Sequence, residues 1–258
     1  MQVTTEVTIE RDGDVAVITM NRPEKRNALS LQMMRDLDAA LAALGSQSDV
    51  RAVVIRGEGP AFSAGHDLRE LSGRDESAYR AIFDACVALM TRIEAVPQPV
   101  IAEVANVATA AGCQLVATCD LAVASSAATF ATPGVRIGLF CSTPMVALTR
   151  AIGRKRAMEM LLTGSAIDAA TALEWGLVNR VVSADRLRQE TLALARSVTA
   201  AARGIVALGK AAFYAQIDMD ETRAYEHTKA VMIENALEPN AREGIAAFLQ
   251  RRTPKWQD

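Results

Sequence analysis

The sequence predicts an α/β core that passes into a purely α-helical C-terminal part. Strand-like runs alternate with helix-like stretches over roughly the first 180 residues, the signature of a sheet covered by helices. Beyond Val182 the strands stop, and only helical spacing is found from Asp185 to Gln250. Half of the residues are hydrophobic but only 4% are aromatic, so the core must be built from Ala, Val, Leu, Ile and Met, which suits close helix packing.

Val7–Ile9 and Val15–Met20 read as strands joined by Arg11-Asp12-Gly13-Asp14, a hairpin signal. Asn21-Arg22-Pro23 breaks the pattern, and Glu24-Lys25-Arg26 is a loop with two cations. Ser30 caps a helix in which Leu31, Met34, Leu37, Leu41 and Leu44 recur at helical spacing up to Gly45. Val50–Arg56, dense in β-branched residues, is a strand, and a small-residue loop, Ala61–Leu68, leaves its end. Arg69–Ser77 is expected to be a polar, mobile segment. The helix Tyr79–Val96 turns Ile82, Cys86, Leu89, Met90 and Ile93 inward and stops at Pro97 and Pro99. Val100–Val104 is a strand, residues 107–118 are a small-residue loop and helix, and Asp120–Ala124 is a strand. Thr129–Phe130, Pro133-Gly134 and Gly138 mark a winding segment, and Pro144 starts a helix running towards Ile152. Lys155–Thr163 and Asp168–Trp175 are helices ending at Gly164 and Gly176, and Leu177–Val182 is the last strand. The helical remainder breaks near Gly204, Ile217–Asp220 and Pro239. The expected division is a core over residues 1–184 and a helical region over 185–258, with no linker, repeat or low-complexity tract.

The 258 residues carry a net charge of -2, so no overall basic field argues for nucleic acid or a membrane surface as a partner. No apolar run reaches the roughly 18 residues of a membrane span. Met1-Gln2-Val3-Thr4 lacks the charged-then-apolar layout of a signal peptide and the Arg-rich character of a mitochondrial presequence, so a cytoplasmic location is expected. Cys86, Cys113, Cys119 and Cys141 show no C-x-x-C spacing; four buried thiols in a reducing compartment are expected, with neither disulfide nor metal site.

Two stretches carry the chemistry. Ala61-Phe62-Ser63-Ala64-Gly65-His66-Asp67-Leu68 follows a strand, and Val107-Ala108-Thr109-Ala110-Ala111-Gly112-Cys113-Gln114-Leu115 opens a helix. Small residues let a ligand approach the backbone, and free N–H groups at a helix start stabilise an oxygen gaining negative charge.

The pair, in this order, resembles the crotonase superfamily of enoyl-CoA hydratases and isomerases. The first stretch matches the family pattern A-F-x-A-G-x-D-L, and Ala110 to Leu115 stands where the family reads G-G-G-C-E-L. The likeness continues through Met20-Asn21-Arg22-Pro23, Asn27-Ala28-Leu29, Phe130 to Gly138, Leu162-Thr163-Gly164 and Ala169 to Val182. Within the superfamily it runs to the subgroup called enoyl-CoA hydratase domain-containing protein 3, through Gly65 to Leu68, Ala108 to Leu115, Phe130 to Gly134 and Gly138 to Pro144.

The resemblance implies a crotonase-like spiral of ββα turns, shared with the Clp peptidases, with a C-terminal helical region that assembles homotrimers or dimers of trimers. It implies an acyl-CoA thioester as ligand, with coenzyme A as part of the substrate and no separate cofactor. The backbone N–H groups of His66 and Ala111 would form the oxyanion hole, Ala at 111 needing a backbone angle that it can adopt. The two glutamates that activate water in the hydratases fall on Gln114 and Gly134. Gln is no general base near neutral pH and Gly offers only backbone, so ordinary hydration, and isomerisation through a base at 134, lose their acid/base groups. The His66 imidazole and Cys141, near a helix start, are the replacement candidates among side chains; Cys113, Asp67, Glu103 and Asp120 read as structural.

For coenzyme A the resemblance points to Arg22, Lys25 and Arg26 on one contact loop. It adds Ala64, Asp67, Leu68 and Arg69 around the nucleotide end, and Phe248, Arg251 and Arg252 on the C-terminal helix that reaches a neighbouring subunit's site. Two readings stand: an enzyme of the hydratase/isomerase type with non-standard acid/base groups, and a non-catalytic acyl-CoA binding or regulatory oligomer. A Clp-like protease is disfavoured, because His66 and His227 are the only histidines and no Ser–His–Asp set accompanies them.

Overall fold

The computed structural model describes residues 6–257, so the Met1–Thr4 reading lies outside the described residues. The chain runs β1 (Val7–Asp12), β2 (Val15–Met20), α1 (Leu31–Gly45), β3 (Ala52–Gly57), β4 (Ala61–Ser63), α2 (Leu68–Leu71), α3 (Glu76–Ala95), β5 (Val100–Val104), β6 (Val107–Thr109) and α4 (Ala111–Thr118). It continues with β7 (Leu121–Ser125), β8 (Thr129–Ala131), α5 (Pro144–Ala151), α6 (Arg154–Thr163), β9 (Ile167–Asp168), α7 (Ala169–Trp175) and β10 (Arg180–Val182). Four helices close it: α8 (Leu187–Thr199), α9 (Arg203–Gln216), α10 (Glu221–Leu237) and α11 (Pro239–Leu249).

The strands form two sheets. The larger has the order β1-β2-β3-β5-β7-β10, the smaller β4-β6-β8-β9. Each of β3, β5 and β7 is followed by a short strand of the second sheet, so the chain winds as successive ββα turns of a spiral. Beyond the antiparallel β1–β2 hairpin, the larger sheet is parallel. Its inner strands β2, β3 and β5 are buried on both faces, as strands of parallel sheets are. Strand β2 shows how: Ala16, Ile18 and Met20 enter the main core, while Val15 and Val17 pack on the other side with Leu187, Leu192 and Ala195 of α8. Thus α8 belongs to the sheet's outer layer.

Local signals decide the helix ends. Ser30 accepts the Met33 N–H and starts α1, Asp75 accepts the Ala78 N–H and starts α3, and Gly164 and Gly176 take left-handed φ to stop α6 and α7. Two segments differ from expectation. Arg69–Ser77 contains the end of helical turn α2 and the cap of α3. It is tied down by Glu70, which accepts the Leu31 N–H at 2.7 Å, and by Leu71 O, which accepts from the Tyr79 hydroxyl at 2.9 Å. The expected loop and helix over 107–118 begins as a strand, because Val107–Thr109 pairs with both β4 and β8 before α4 starts.

Asp120 anchors the helical part to the core. It accepts from Val100 N and Lys210 Nζ, both at 2.7 Å, and from the Tyr214 hydroxyl at 2.8 Å. Lys210 Nζ also reaches the Ile93 and Gln98 carbonyls at 2.7 and 2.9 Å, which ties α9 to the ends of α3 and β5. Glu103 is buried between Arg56, at 3.1 Å, and Arg188, at 3.5 Å. Both carboxylates are engaged in ion pairs, as expected of structural residues, Glu103 on β5 and Asp120 at the turn before β7.

Candidate active site

The site begins where β4 ends. Ser63 Oγ accepts the Gly65 N–H at 3.2 Å, and the Ala64 N–H is held by the Arg26 carbonyl at 3.0 Å. Gly65 has φ +84°, and a Cβ there would stand 2.8 Å from Ala110 Cβ and 3.2 Å from Ala111 N. Only glycine permits this approach, which lays the peptide ending in the His66 N–H against the first turn of α4. Gly112 does the same from the other side: a Cβ there would overlap the Ser63 carbonyl.

Two N–H groups are left over in this junction. In the bridge between Leu29 and His66, the bonds run from Leu29 N to Gly65 O (2.8 Å) and from Asp67 N to Leu29 O (3.4 Å), so the His66 N–H is outside the ladder. Ala111 opens α4, and the first N–H of a helix has no carbonyl one turn earlier to bond. The backbone demand expected at Ala111 falls instead on Ala110, which adopts φ 51°, ψ -120°, a region favouring glycine. Ala110 is held there by its N–H on Ala131 O (2.9 Å) and its carbonyl on Gln114 N (3.0 Å).

The two positions on which the glutamates were expected to fall, Gln114 and Gly134, are distinct in character. Gln114 is buried on α4, with its Oε1 facing the Cys86 thiol of α3 at 3.8 Å. Gly134 is buried in a 3-10 turn, Pro133–Ile137, and a Cβ there would overlap the Leu139 carbonyl and stand 2.8 Å from Cys141 Sγ. The chain therefore fills, with its own backbone and a thiol, the space through which a side chain at 134 would project.

The imidazole of His66 is enclosed, edge-on to Phe83 of α3 with ring centroids 5.6 Å apart. Burial pushes it below its ordinary pKa of 6.5, and the nearby Leu29 backbone opposes this only in part. The residue is half-buried, its ring nitrogens are covered, and the imidazole is neutral near pH 7. Burial pushes the thiols the other way, Cys86 to about 11 and Cys113 to about 12, and Cys141 upward although the Gly134 N–H points at its sulfur. These groups are thiols near neutral pH, which weighs against a nucleophilic thiolate at Cys113 or Cys141.

The expected cations divide. Arg22 is bound to Glu6 at 3.2 Å and to Asp67 at 3.6 Å, and its charge is largely spent within the protein. Asp67 also accepts the Arg69 N–H at 3.1 Å, capping α2. Lys25 is half-buried, Arg26 and Arg69 are exposed, and none of these three forms an ion pair among the described residues. Leu68 is exposed and Ala64 half-buried beside them. Phe248 is exposed at the end of α11, which packs on α10, and Arg251 is exposed with φ 53°. Arg252 is committed to Glu243, at 2.6 and 2.8 Å, and that pairing holds the carboxyl down at about 2. Reading along the sequence missed Phe83, because a single aromatic beside Ile82 adds nothing to a helical pattern, and missed Asn27 as organiser. The Asn27 amide holds the Glu58 and Ala61 carbonyls at 2.8 Å, fixing the turn into β4.

The model of the family described as enoyl-CoA hydratase/isomerase matches residues 10–258. The chain belongs to this family. Among its relatives is the zebrafish (Danio rerio) enoyl-CoA hydratase domain-containing protein 3, mitochondrial, 48% identical over 250 residues, covering 96% of this chain and 86% of that protein. The human protein of the same name is 48% identical over 240 residues, covering 93% and 79%. Among solved structures, an enoyl-CoA hydratase of Mycobacterium smegmatis superposes with a TM-score of 0.95 at 46% identity, covering 98% of this chain and 99% of that one. Human enoyl coenzyme A hydratase domain-containing protein 3 also gives 0.95, at 45% identity, covering 97% and 100%. The fold is that of the crotonase-type hydratases. The expected cytoplasmic location is corrected by these comparisons, since the relatives sharing the subgroup name are designated mitochondrial. The expectation rested on Met1-Gln2-Val3-Thr4, and four residues are too few to carry or exclude an address signal, which takes roughly 15–30.

Proposed function

We propose that this family member binds an acyl-CoA thioester with its carbonyl oxygen between the His66 and Ala111 N–H groups, and that it does not run the two-carboxylate hydration. The observation that supports the reading is the close approach of Gly65 to Ala110 and to Ala111 N, beside two backbone N–H groups that take no backbone acceptor. Such donors act on the oxygen that gains charge, and each is worth about 10²–10³ in rate. The relatives named enoyl-CoA hydratases support the thioester as ligand. Lys25, Arg26 and Arg69 are the cations available to the coenzyme A phosphates, with Ala64 offering backbone; Arg22 and Asp67 brace the loop instead. In an assembly, Phe248 and Arg251 would serve a neighbouring subunit's site. Exposed Met232, Ile233, Leu237, Ile245, Phe248 and Leu249 support self-association through the region after residue 184, as a trimer or a pair of trimers. The subgroup relatives support a mitochondrial setting.

A specific observation favours the second reading, a non-catalytic acyl-CoA binding oligomer: position 134 is closed and Gln114 is an amide, so neither carboxylate has a structural substitute at its own place. The experiment is a panel of saturated and enoyl-CoA thioesters, with binding followed by calorimetry and turnover by mass spectrometry in the same samples. Binding with a mass change makes the protein an enzyme and names its reaction class. Binding without one makes it a binding protein. Binding of none refutes the thioester reading.

A further inference from the structure

The peptide that ends in the His66 N–H follows a glycine. Gly65 turns easily about its backbone bonds, so this peptide must be held from outside if its N–H is to keep one direction. Two holds are present. The first is the Leu29 N–H, which donates to the Gly65 carbonyl at 2.8 Å. That carbonyl and the His66 N–H belong to one planar trans unit, so fixing the one aims the other the opposite way. The second hold acts through Asp67, one residue past the donor, and ends at Arg22.

Arg22 is set as a fixed point. Its N–H donates to Asn27 Oδ1 and its carbonyl accepts the Asn27 N–H, both at 2.9 Å, and Asn27 is fully buried. Its guanidinium uses all three nitrogens. Nε and Nη1 lie on the two Glu6 oxygens at 3.2 and 3.3 Å, and Nη2 faces Asp67 at 3.6 Å. Glu6 is anchored in turn on the start of α1, where it accepts the Ser30 hydroxyl at 2.6 Å and gives its N–H to Asp36 at 2.7 Å. The side chains of Glu6, Arg22 and Asp67 are only 21%, 18% and 14% exposed, so water and salt screen the chain of charges weakly. A planar fork can bridge two carboxylates in this way; a Lys point charge cannot do so in fixed geometry.

We infer that Arg22 is a positioning residue for the oxyanion donor: it does not bind the coenzyme, and through Asp67 it keeps the His66 N–H on the thioester oxygen. This rests on the acyl-CoA reading above. It also replaces the coenzyme contact that the family resemblance implied for Arg22, and the two roles predict opposite patterns. A cation on the coenzyme phosphates contributes to binding of free coenzyme A and leaves the acyl carbonyl alone. A positioning residue contributes nothing to free coenzyme A and acts on the carbonyl.

The test uses the full chain in its native assembly, with butyryl-CoA isotope-labelled at its thioester carbonyl carbon and free coenzyme A as the probes. Isotope-edited infrared spectroscopy reads the carbonyl band of the bound ligand, and calorimetry reads both affinities. In the wild type the band is expected to move to lower frequency on binding, because hydrogen bonds to the oxygen weaken the C=O bond. In Arg22→Gln most of that shift is expected to be lost. Butyryl-CoA affinity is expected to fall by up to about tenfold, the worth of one hydrogen bond, with free coenzyme A unaffected. Asp67→Asn keeps a capping oxygen for α2 and so serves even if Arg22→Gln folds poorly. It is expected to lose the same shift, and the double variant no more than either single one. A shift retained in both variants, or weaker binding of free coenzyme A with the shift retained, overturns the positioning role and leaves the thioester reading intact. A shift lost in Arg22→Gln and kept in Asp67→Asn overturns the route through Asp67. A wild-type band that does not move, or no binding of butyryl-CoA, overturns the oxyanion reading beneath it.

Discussion

Replacing Ala110 by glycine should make the protein more stable. Ala110 sits at φ 51°, ψ -120°, where an L-residue is strained by about 1–3 kcal/mol. Glycine has no such strain, but it loses about 0.4–1 kcal/mol through the greater freedom of its unfolded chain. The difference leaves a net gain of about 1 kcal/mol, or about 2–4 °C in Tm for a chain of this size. The neighbouring alanine is an internal control of opposite sign. Ala111 is the first helical residue of α4, with no strain to relieve, so Ala111→Gly should lower stability by roughly 0.5–1 kcal/mol. Differential scanning calorimetry of both variants with the wild type reads the two signs at once. A lower Tm for Ala110→Gly would show that the backbone is not held in this conformation, and would remove the argument that the junction with Gly65 fixes the Ala111 N–H.

Other expectations follow from particular contacts. Gly134→Ala should destabilise by about 1–3 kcal/mol through overpacking, because its Cβ meets the Leu139 carbonyl and Cys141 Sγ. For the same reason Gln114→Glu with Gly134→Glu should yield no gain in crotonyl-CoA hydration, measured by loss of the enoyl absorbance; a clear gain would show that the Leu139–Cys141 segment yields easily. Lys210→Met should cost about 3 kcal/mol in urea unfolding, since it strips Asp120 of its cation, and adding Asp120→Asn should recover part of the loss; equal stability of wild type and Lys210→Met refutes the anchor. The pKa of His66 is lower in the folded protein than its unfolded value of 6.5, so the unfolded chain takes up the proton first and stability falls as pH drops below about 6.5. The same fall should be shallower in His66→Phe, and identical pH profiles of the two proteins would refute the buried, neutral imidazole.

The sequence by itself determined what depends on neighbours along the chain. Ser30 starts a helix because its side chain reaches an N–H three residues on, and Gly164 and Gly176 stop two others because glycine turns left without strain. The strand Val15–Met20 was legible because an apolar run bounded by the turn residues Arg11-Asp12-Gly13-Asp14 reads as one arm of a hairpin. The two small-residue stretches stood out for the same local reason, and that positions 114 and 134 hold no carboxylate is read directly from the chain. Only the tertiary structure decided what depends on residues distant in sequence. The strand Val107–Thr109 exists because β4 and β8 flank it, and no pattern of three residues announces that. Arg22 looked like a free cation until Glu6 and Asp67 were folded onto it. The strain at Ala110 rather than Ala111, the closed space at Gly134 and the enclosure of His66 against Phe83 each arise from a backbone or ring brought in from elsewhere. Spacing along a chain specifies which face a residue presents; what meets that face is set by the packing of the whole core.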